Sequence, residues 1–239
     1  MDFDAFILAI GKVFKLSLNS GQKQQFSAYY QKLIKNNQEM NLFGFDNQDL
    51  WLKYFFHSVF VYRNVNFHEL ESCLDLGSGS GIPSIVLKII FPHLHLTIVE
   101  ANSKKTTFMT NLVKDLNLDN VVIKTSRIEN IKPTQIPQFD FATARAVAPL
   151  EQLLELTAPY VKVGGLLVLP KSKKYLEEVK DLNKELKILG CKLTDVDRQL
   201  DHDYTFCTLY IKKISKTPSI FPRKFSQIVK GFDYGNKSK

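Results

Sequence analysis

Apolar positions at helical spacing dominate the first third of the chain. Phe3, Phe6, Ile7, Ile10, Val13 and Phe14 recur every three or four residues, and so do Phe26, Tyr29, Tyr30, Leu33 and Ile34. Each set predicts an amphipathic helix. Leu18-Asn19-Ser20-Gly21 interrupts the pattern and offers Asn19 or Ser20 as an N-cap. Beyond the polar turn Asp46-Asn47-Gln48, Trp51, Phe55, Val59 and Tyr62 predict a third helix. These aromatic stripes read as core faces. From residue 72 the period changes, and short apolar runs at 72–76, 94–99, 121–124, 139–143 and 166–169 read as strands. Helical patterns at 82–91, 102–116, 150–161 and 175–189 separate them. Such alternation implies right-handed crossovers and a mostly parallel, doubly wound α/β sheet. The last two apolar runs, 193–197 and 206–212, have only the turn Asp201-His202-Asp203 between them. They predict an antiparallel hairpin at the edge, which makes seven strands. The expected organisation is a helical extension over 1–68, an α/β domain over 69–213 and a tail over 214–239.

The chemistry is concentrated at the first strand-to-helix turn, Asp75-Leu76-Gly77-Ser78-Gly79-Ser80-Gly81-Ile82-Pro83. Alternate glycines let backbone N–H groups approach a ligand without Cβ atoms in the way, and Pro83 suits the first turn of the helix that follows. Ligands of this architecture bind beyond the carboxyl ends of the strands. Counting from Gly77 or from Gly79, the third position of a dinucleotide fingerprint would be Ile82 or Ser84, so a nicotinamide cofactor fits less well. Gly-x-Gly-x-Gly after an acid resembles the S-adenosylmethionine loop of class I methyltransferases, a Rossmann-like fold. Glu100, at the end of the second strand, offers a carboxylate that can accept from both ribose hydroxyls.

Further segments resemble one family, the bacterial small-subunit (16S) rRNA guanine-N7 methyltransferases, also called glucose-inhibited division protein B. They are Met40-Asn41-Leu42, the glycine loop, Val99-Glu100, Ser103-Lys104-Lys105 with Phe108-Met109, Ser126-Arg127-Ile128-Glu129, Thr143-Ala144-Arg145-Ala146-Val147-Ala148, Leu169-Pro170-Lys171 and Phe221-Pro222-Arg223-Lys224. They occur in order across residues 40–224. The resemblance implies S-adenosyl-L-methionine as cofactor and 16S rRNA or the small subunit as partner. Asp75, Gly77, Ser78, Gly79, Gly81, Ile82, Pro83, Glu100 and Ala101 would then hold the cofactor, with Ile128 and Glu129 flanking its adenine and Arg145 between cofactor and substrate. Lys104, Lys105, Arg145, Lys171, Arg223 and Lys224 would contact RNA. The chain departs from the family pattern at Tyr54 and His57, at Ser84 and Ser172 (each replacing a glycine), at Lys105 and in the tail after Lys224.

Alkylating guanine N7 needs alignment more than acid–base help, because N7 carries an exposed lone pair. No Asn/Asp-Pro-Pro-Tyr/Phe segment for an exocyclic amine and no Pro-Cys pair for pyrimidine attack is present, so no general base is named. The alternatives are a methyltransferase for another RNA, a small molecule or a protein, and an RNA-binding module with a degenerate cofactor site.

Composition narrows the setting. With 44% hydrophobic and 23% charged residues the 239-residue chain can bury a full core. No apolar run approaches a membrane span, and the acidic start Met1-Asp2-Phe3-Asp4 does not resemble a signal peptide. Three scattered cysteines and histidines without ligand spacing predict neither a disulfide framework nor a metal site. A cytoplasmic monomer is expected. The net charge of +8 is uneven: residues 212–239 carry +7 and the first 211 carry +1. A polyanion is the natural partner of such a tail.

Overall fold

The computed structural model describes residues 1–44, 46–145, 147–171, 182–201 and 204–232, with side chains described for all of these except 199–201 and 204–206. Seven strands run in the order β3-β2-β1-β4-β5-β7-β6. The backbone divides into two compact units, Met1–Ser126 and Arg127–Lys239.

The first unit opens with α1 (Phe3–Phe14) and α2 (Ser20–Met40). Asp2 caps α1, a cap the sequence reading did not name, and Asn19, one of the two predicted caps, closes a capping box with Gln22 on α2. The Gln22 amide nitrogen also donates to the carbonyls of Ile89 (2.7 Å) and Ile90 (3.1 Å), satisfying the end of α4 (Ser84–Ile90). Phe6, Phe26, Trp51 and Phe55 form an aromatic core with ring centroids 4.8 to 6.1 Å apart.

The third predicted helix is wound differently. Leu50–Phe56 is a π-helix that passes into α3 (His57–Phe60), and the His57 N–H donates to Leu52, five residues back. Tyr54, Phe55 and Phe56 of this turn are consecutive and all buried. Strands β1 (Ser72–Leu76), β2 (His95–Glu100) and β3 (Val121–Thr125) pair in parallel, with Leu76 opposite Val99 and Glu100 opposite Thr125. Helix α5 (Ser103–Asp115) joins the last two. Helix α4 starts at Ser84 with Pro83 as its N-cap, so the proline lies just outside the first turn and not within it.

In the second unit β4 (Phe139–Ala144) pairs in parallel with β5 (Val161–Lys171). β5 is longer than the apolar run at 166–169 because Gly165 packs against the neighbouring backbone. A Cβ there would lie 2.9 Å from the carbonyl of Asp140. Helix α6 (Leu150–Thr157) gives way to a 3-10 turn at Ala158–Tyr160, where Pro159 lacks the N–H that would continue it. The predicted edge hairpin is present: β6 (Cys191–Asp201) and β7 (Tyr204–Lys213) pair antiparallel, and β7 also pairs antiparallel with β5. Helix α7 (Asn183–Ile188) covers the end of the helix predicted over 175–189; its start, at 175–181, lies outside the described residues. So do His202 and Asp203 of the predicted turn, Ser172, Ala146 and residues 233–239. Helix α8 (Phe225–Ile228) is short.

Candidate active site

The chain leaves β1 through three glycines in the left-handed region: Gly77 (φ 69), Gly79 (φ 63) and Gly81 (φ 102). At Gly81 space is also decisive, since a Cβ would fall 2.5 Å from Ile85 Cδ1 and 2.8 Å from the Tyr29 hydroxyl. The Gly77 N–H donates to Val99 (2.9 Å), and the N–H groups of Gly81 and Ile82 fold back onto the Ser78 carbonyl (3.0 Å each).

Ser80 fixes the loop from the other side. Its carbonyl accepts from the buried Tyr29 hydroxyl at 2.6 Å. Its hydroxyl accepts from Tyr54 and donates to the Leu42 carbonyl at 3.2 Å. Burial pushes the Tyr29 phenol well above its usual range, reinforced by Tyr54, so it stays a donor. Leu42 reaches the loop because Asn41 closes α2 in the left-handed region (φ 47) while the Asn37 side chain accepts from Phe43 N–H at 2.9 Å. The Met40-Asn41-Leu42 segment is thus a loop support. The sequence placed Tyr29 only in an aromatic stripe, Tyr54 only among the departures from the family pattern and Ser80 only inside the glycine loop, with no supporting role for any of the three.

Two acids face the loop from the first unit. Asp75 is fully buried, and neither carboxylate oxygen makes a hydrogen bond among the described residues. Burial raises its pKa to about 7; the Ser78 and Ser84 hydroxyls beside it, bonded to each other at 2.9 Å, pull the other way, and Glu100 adds to the rise. Ser84, a departure from the family pattern, therefore places a hydroxyl beside the orphaned acid. Glu100 at the end of β2 accepts from Gly79 N–H (3.1 Å) on one oxygen and from Asn102 N–H (2.9 Å) on the other. It holds the loop's shape, and each oxygen keeps a lone pair for a further donor. Ala101 is exposed beside it, and Ile82 is partly exposed at the loop. Asn102 caps α5 by accepting from Lys105 N–H (3.2 Å), and the Lys105 ammonium lies 4.0 Å from where a Cβ on Gly79 would be. Lys104 is exposed.

The second unit carries the remaining predicted residues. Ile128–Asn130 forms a 3-10 turn with Ile128 buried. The Tyr160 hydroxyl bonds the carbonyls of Ile128 (2.9 Å) and Ile131 (2.7 Å), which sets the turn. Glu129 Oε1 is buried without a hydrogen-bond partner among the described residues. Arg145 follows the last residue of β4 and is half-buried. Lys171, at the end of β5, donates to the Ala148 carbonyl (3.2 Å) and so supports the segment after Arg145.

Arg223 corrects the sequence reading. Its guanidinium grips the Glu155 carboxylate with bonds of 2.6 to 3.1 Å, donates to the Gly231 carbonyl and is largely buried. It anchors the tail to α6, so its charge is already paired inside the fold. Lys213 is likewise buried, bonding the Leu189 carbonyl and Thr217. Lys224 is exposed. No helix among the described residues is long and apolar enough to cross a membrane.

Parallel strands, an antiparallel terminal hairpin, a glycine loop after β1 and an acid closing β2 define a class I methyltransferase. The solved ribosomal protein L11 methylase of Lactobacillus delbrueckii subsp. bulgaricus shares this fold at a TM-score of 0.52 and 14% identity, covering 72% of this chain and 81% of that one. The family described as rRNA small subunit methyltransferase G matches residues 22–206. Curated relatives named ribosomal RNA small subunit methyltransferase G include those of Lysinibacillus sphaericus (39% identical, covering 94% of this chain and 96% of the relative) and Mycoplasma capricolum (37%, covering 90% and 93%). The chain belongs to the rRNA small subunit methyltransferase G family.

Proposed function

We propose that this chain transfers a methyl group from S-adenosyl-L-methionine to N7 of a guanine in the 16S rRNA of the small ribosomal subunit. The observation that carries the cofactor is Asp75: a fully buried carboxylate that, among the described residues, has only the Ser78 and Ser84 hydroxyls beside it and no cation to balance it suits a ligand with a cationic amino group. Glu100, already orienting Gly79 and Asn102, has lone pairs left for ribose hydroxyls. The unpartnered Glu129 oxygen suits an exocyclic amine such as that of adenine, with Ile128 beside it. When bound, the cofactor supplies a methyl group on an electrophilic sulfonium.

The protein's own work is orientation and exclusion of water. Tyr29, Tyr54 and Leu42 hold Ser80, and through it the loop, in one conformation. Arg145, which follows the last residue of β4 and is half-buried, is suited to a phosphate or to guanine O6. N7 must stay free to react, so no residue is assigned as its base. Exposed cations, Lys104 and Lys224 with the half-exposed Lys105, would position the RNA backbone without reading sequence.

The test is methyl transfer from labelled cofactor to small subunits or their rRNA, with mapping of the modified position in cells lacking the protein. The reading stands if one guanine N7 is modified by the enzyme and unmodified in its absence. Transfer only to another RNA or to a small molecule would overturn it.

A further inference from the structure

A groove of about 670 Å³ lies along the first unit, between α2 and α5. Its walls carry Lys32 and Lys35 from α2, and Lys104 and Lys114 from α5. Asn36 and Asn111 add amide donors, and the floor is apolar. Two acids also line it. Asp115 is taken up by an ion pair with Lys32, which leaves Lys35, Lys104 and Lys114 against the single carboxylate of Glu39. Those three lysines have no ion-pair partner among the described residues, and all three are exposed. From Lys104 to Lys114 the α5 wall runs about 15 Å at 1.5 Å per residue. That is the length of about four charges along one strand of a nucleic-acid duplex. The groove also has a direction. Its Lys104 end adjoins Lys105, whose ammonium lies 4.0 Å from the Cβ position at Gly79.

We propose that this groove carries the phosphate backbone of the substrate RNA toward the glycine loop. The proposal rests on the rRNA reading above and extends its contacts from Lys104, beside the loop, along α2 and α5 to Lys35 and Lys114. Lys35 and Lys114 follow neither from the family motifs nor from the basic tail; only packing of the two helices brings them to one groove. An excess of mobile cations over acids, with amide donors between them, suits phosphate oxygens, whereas a docked protein helix would want a wider apolar face than this floor provides.

The experiment compares wild-type protein with the triple variant Lys35→Glu, Lys104→Glu, Lys114→Glu and with the corresponding triple Gln variant. Equilibrium binding to a small-subunit rRNA fragment is measured from low to moderate salt, and the melting shift with S-adenosylhomocysteine is measured alongside. The Glu variant should lose at least tenfold in RNA affinity at low salt. The Gln variant should flatten the log–log salt dependence by about 2 to 3, near 0.9 for each phosphate that is no longer neutralised. Both should keep the cofactor-induced melting shift, because no substituted residue touches the loop. Wild-type and variant salt slopes that coincide overturn the groove alone. Variants that bind naked rRNA normally but fail on assembled subunits overturn it too, since the groove would then meet protein. Wild-type protein that binds neither the rRNA fragment nor small subunits overturns the substrate reading and the groove with it.

Discussion

Asp75 is the residue on which the site turns, and its charge depends on what is bound. Unfolded, its carboxyl ionises near 3.8; in the fold burial raises this to about 7. Between these values the native state holds a proton that the unfolded chain has released, so stability falls as pH rises from about 4 to about 7 and levels off above. The full cost approaches roughly 4 kcal/mol, at 1.36 kcal/mol per unit. Asp75→Asn should therefore be more stable than wild type at pH 8 in the absence of ligand and should lose this segment of the pH dependence, as read by denaturant titration. For binding the sign reverses. A cationic ligand favours the ionised acid, so wild-type affinity for S-adenosylmethionine should improve by up to tenfold per unit toward pH 7, while the Asn variant binds weakly at every pH. Identical calorimetric pH profiles for the two proteins would remove Asp75 from the site. The acid itself was readable from its place before the glycines. Its orphaned state was not, because that depends on what packs over it, including Ser84, six residues from its hydroxyl partner Ser78.

At the scale of elements, the helices before β1 belong mechanically to the loop after it. Tyr29→Phe removes the donor to the buried Ser80 carbonyl, at a cost of about 1 to 3 kcal/mol for the group left unpaired. Its signature is expected in the KM for the cofactor, which should rise while kcat at saturation stays near wild type. A fall in kcat with KM unchanged would mean that Tyr29 does not act through the loop. Gly81→Ala is the harsher probe: with φ at 102 and Ile85 at 2.5 Å, it should cost about 2 kcal/mol or more and abolish the cofactor-induced melting shift. The element order was legible because the hydrophobic period changes at residue 72 and the cap at Asn19 lies in plain view. The π-helix was not. Trp51, Phe55, Val59 and Tyr62 satisfy an α-helical spacing equally well, so the hydrophobic pattern does not announce the wider winding. Nor does spacing say that Tyr54, from that helix, reaches Ser80.

For the molecule as a whole, the uneven charge changes meaning. The eight bases from Lys212 onward include Lys213 and Arg223, which are spent inside the fold. Among the described residues of that segment, Lys212, Lys216, Lys224 and Lys230 remain exposed. Arg223→Ala should thus leave the salt slope of RNA binding unchanged while costing about 3 to 5 kcal/mol, because Glu155 would be left buried and uncompensated. A shallower salt slope at unchanged melting temperature would restore Arg223 to the RNA interface. The Phe-Pro-Arg-Lys stretch identified the family, yet sequence could not separate a cation that meets RNA from one that meets a buried carboxylate 68 positions earlier. That separation has a consequence for synthesis. A ribosome releases Glu155 before Arg223, and until the arginine arrives the carboxylate has no guanidinium to pair with on burial. A chain that stops short of residue 223 would carry that defect permanently, so truncation there should destabilise the second unit about as much as Arg223→Ala does.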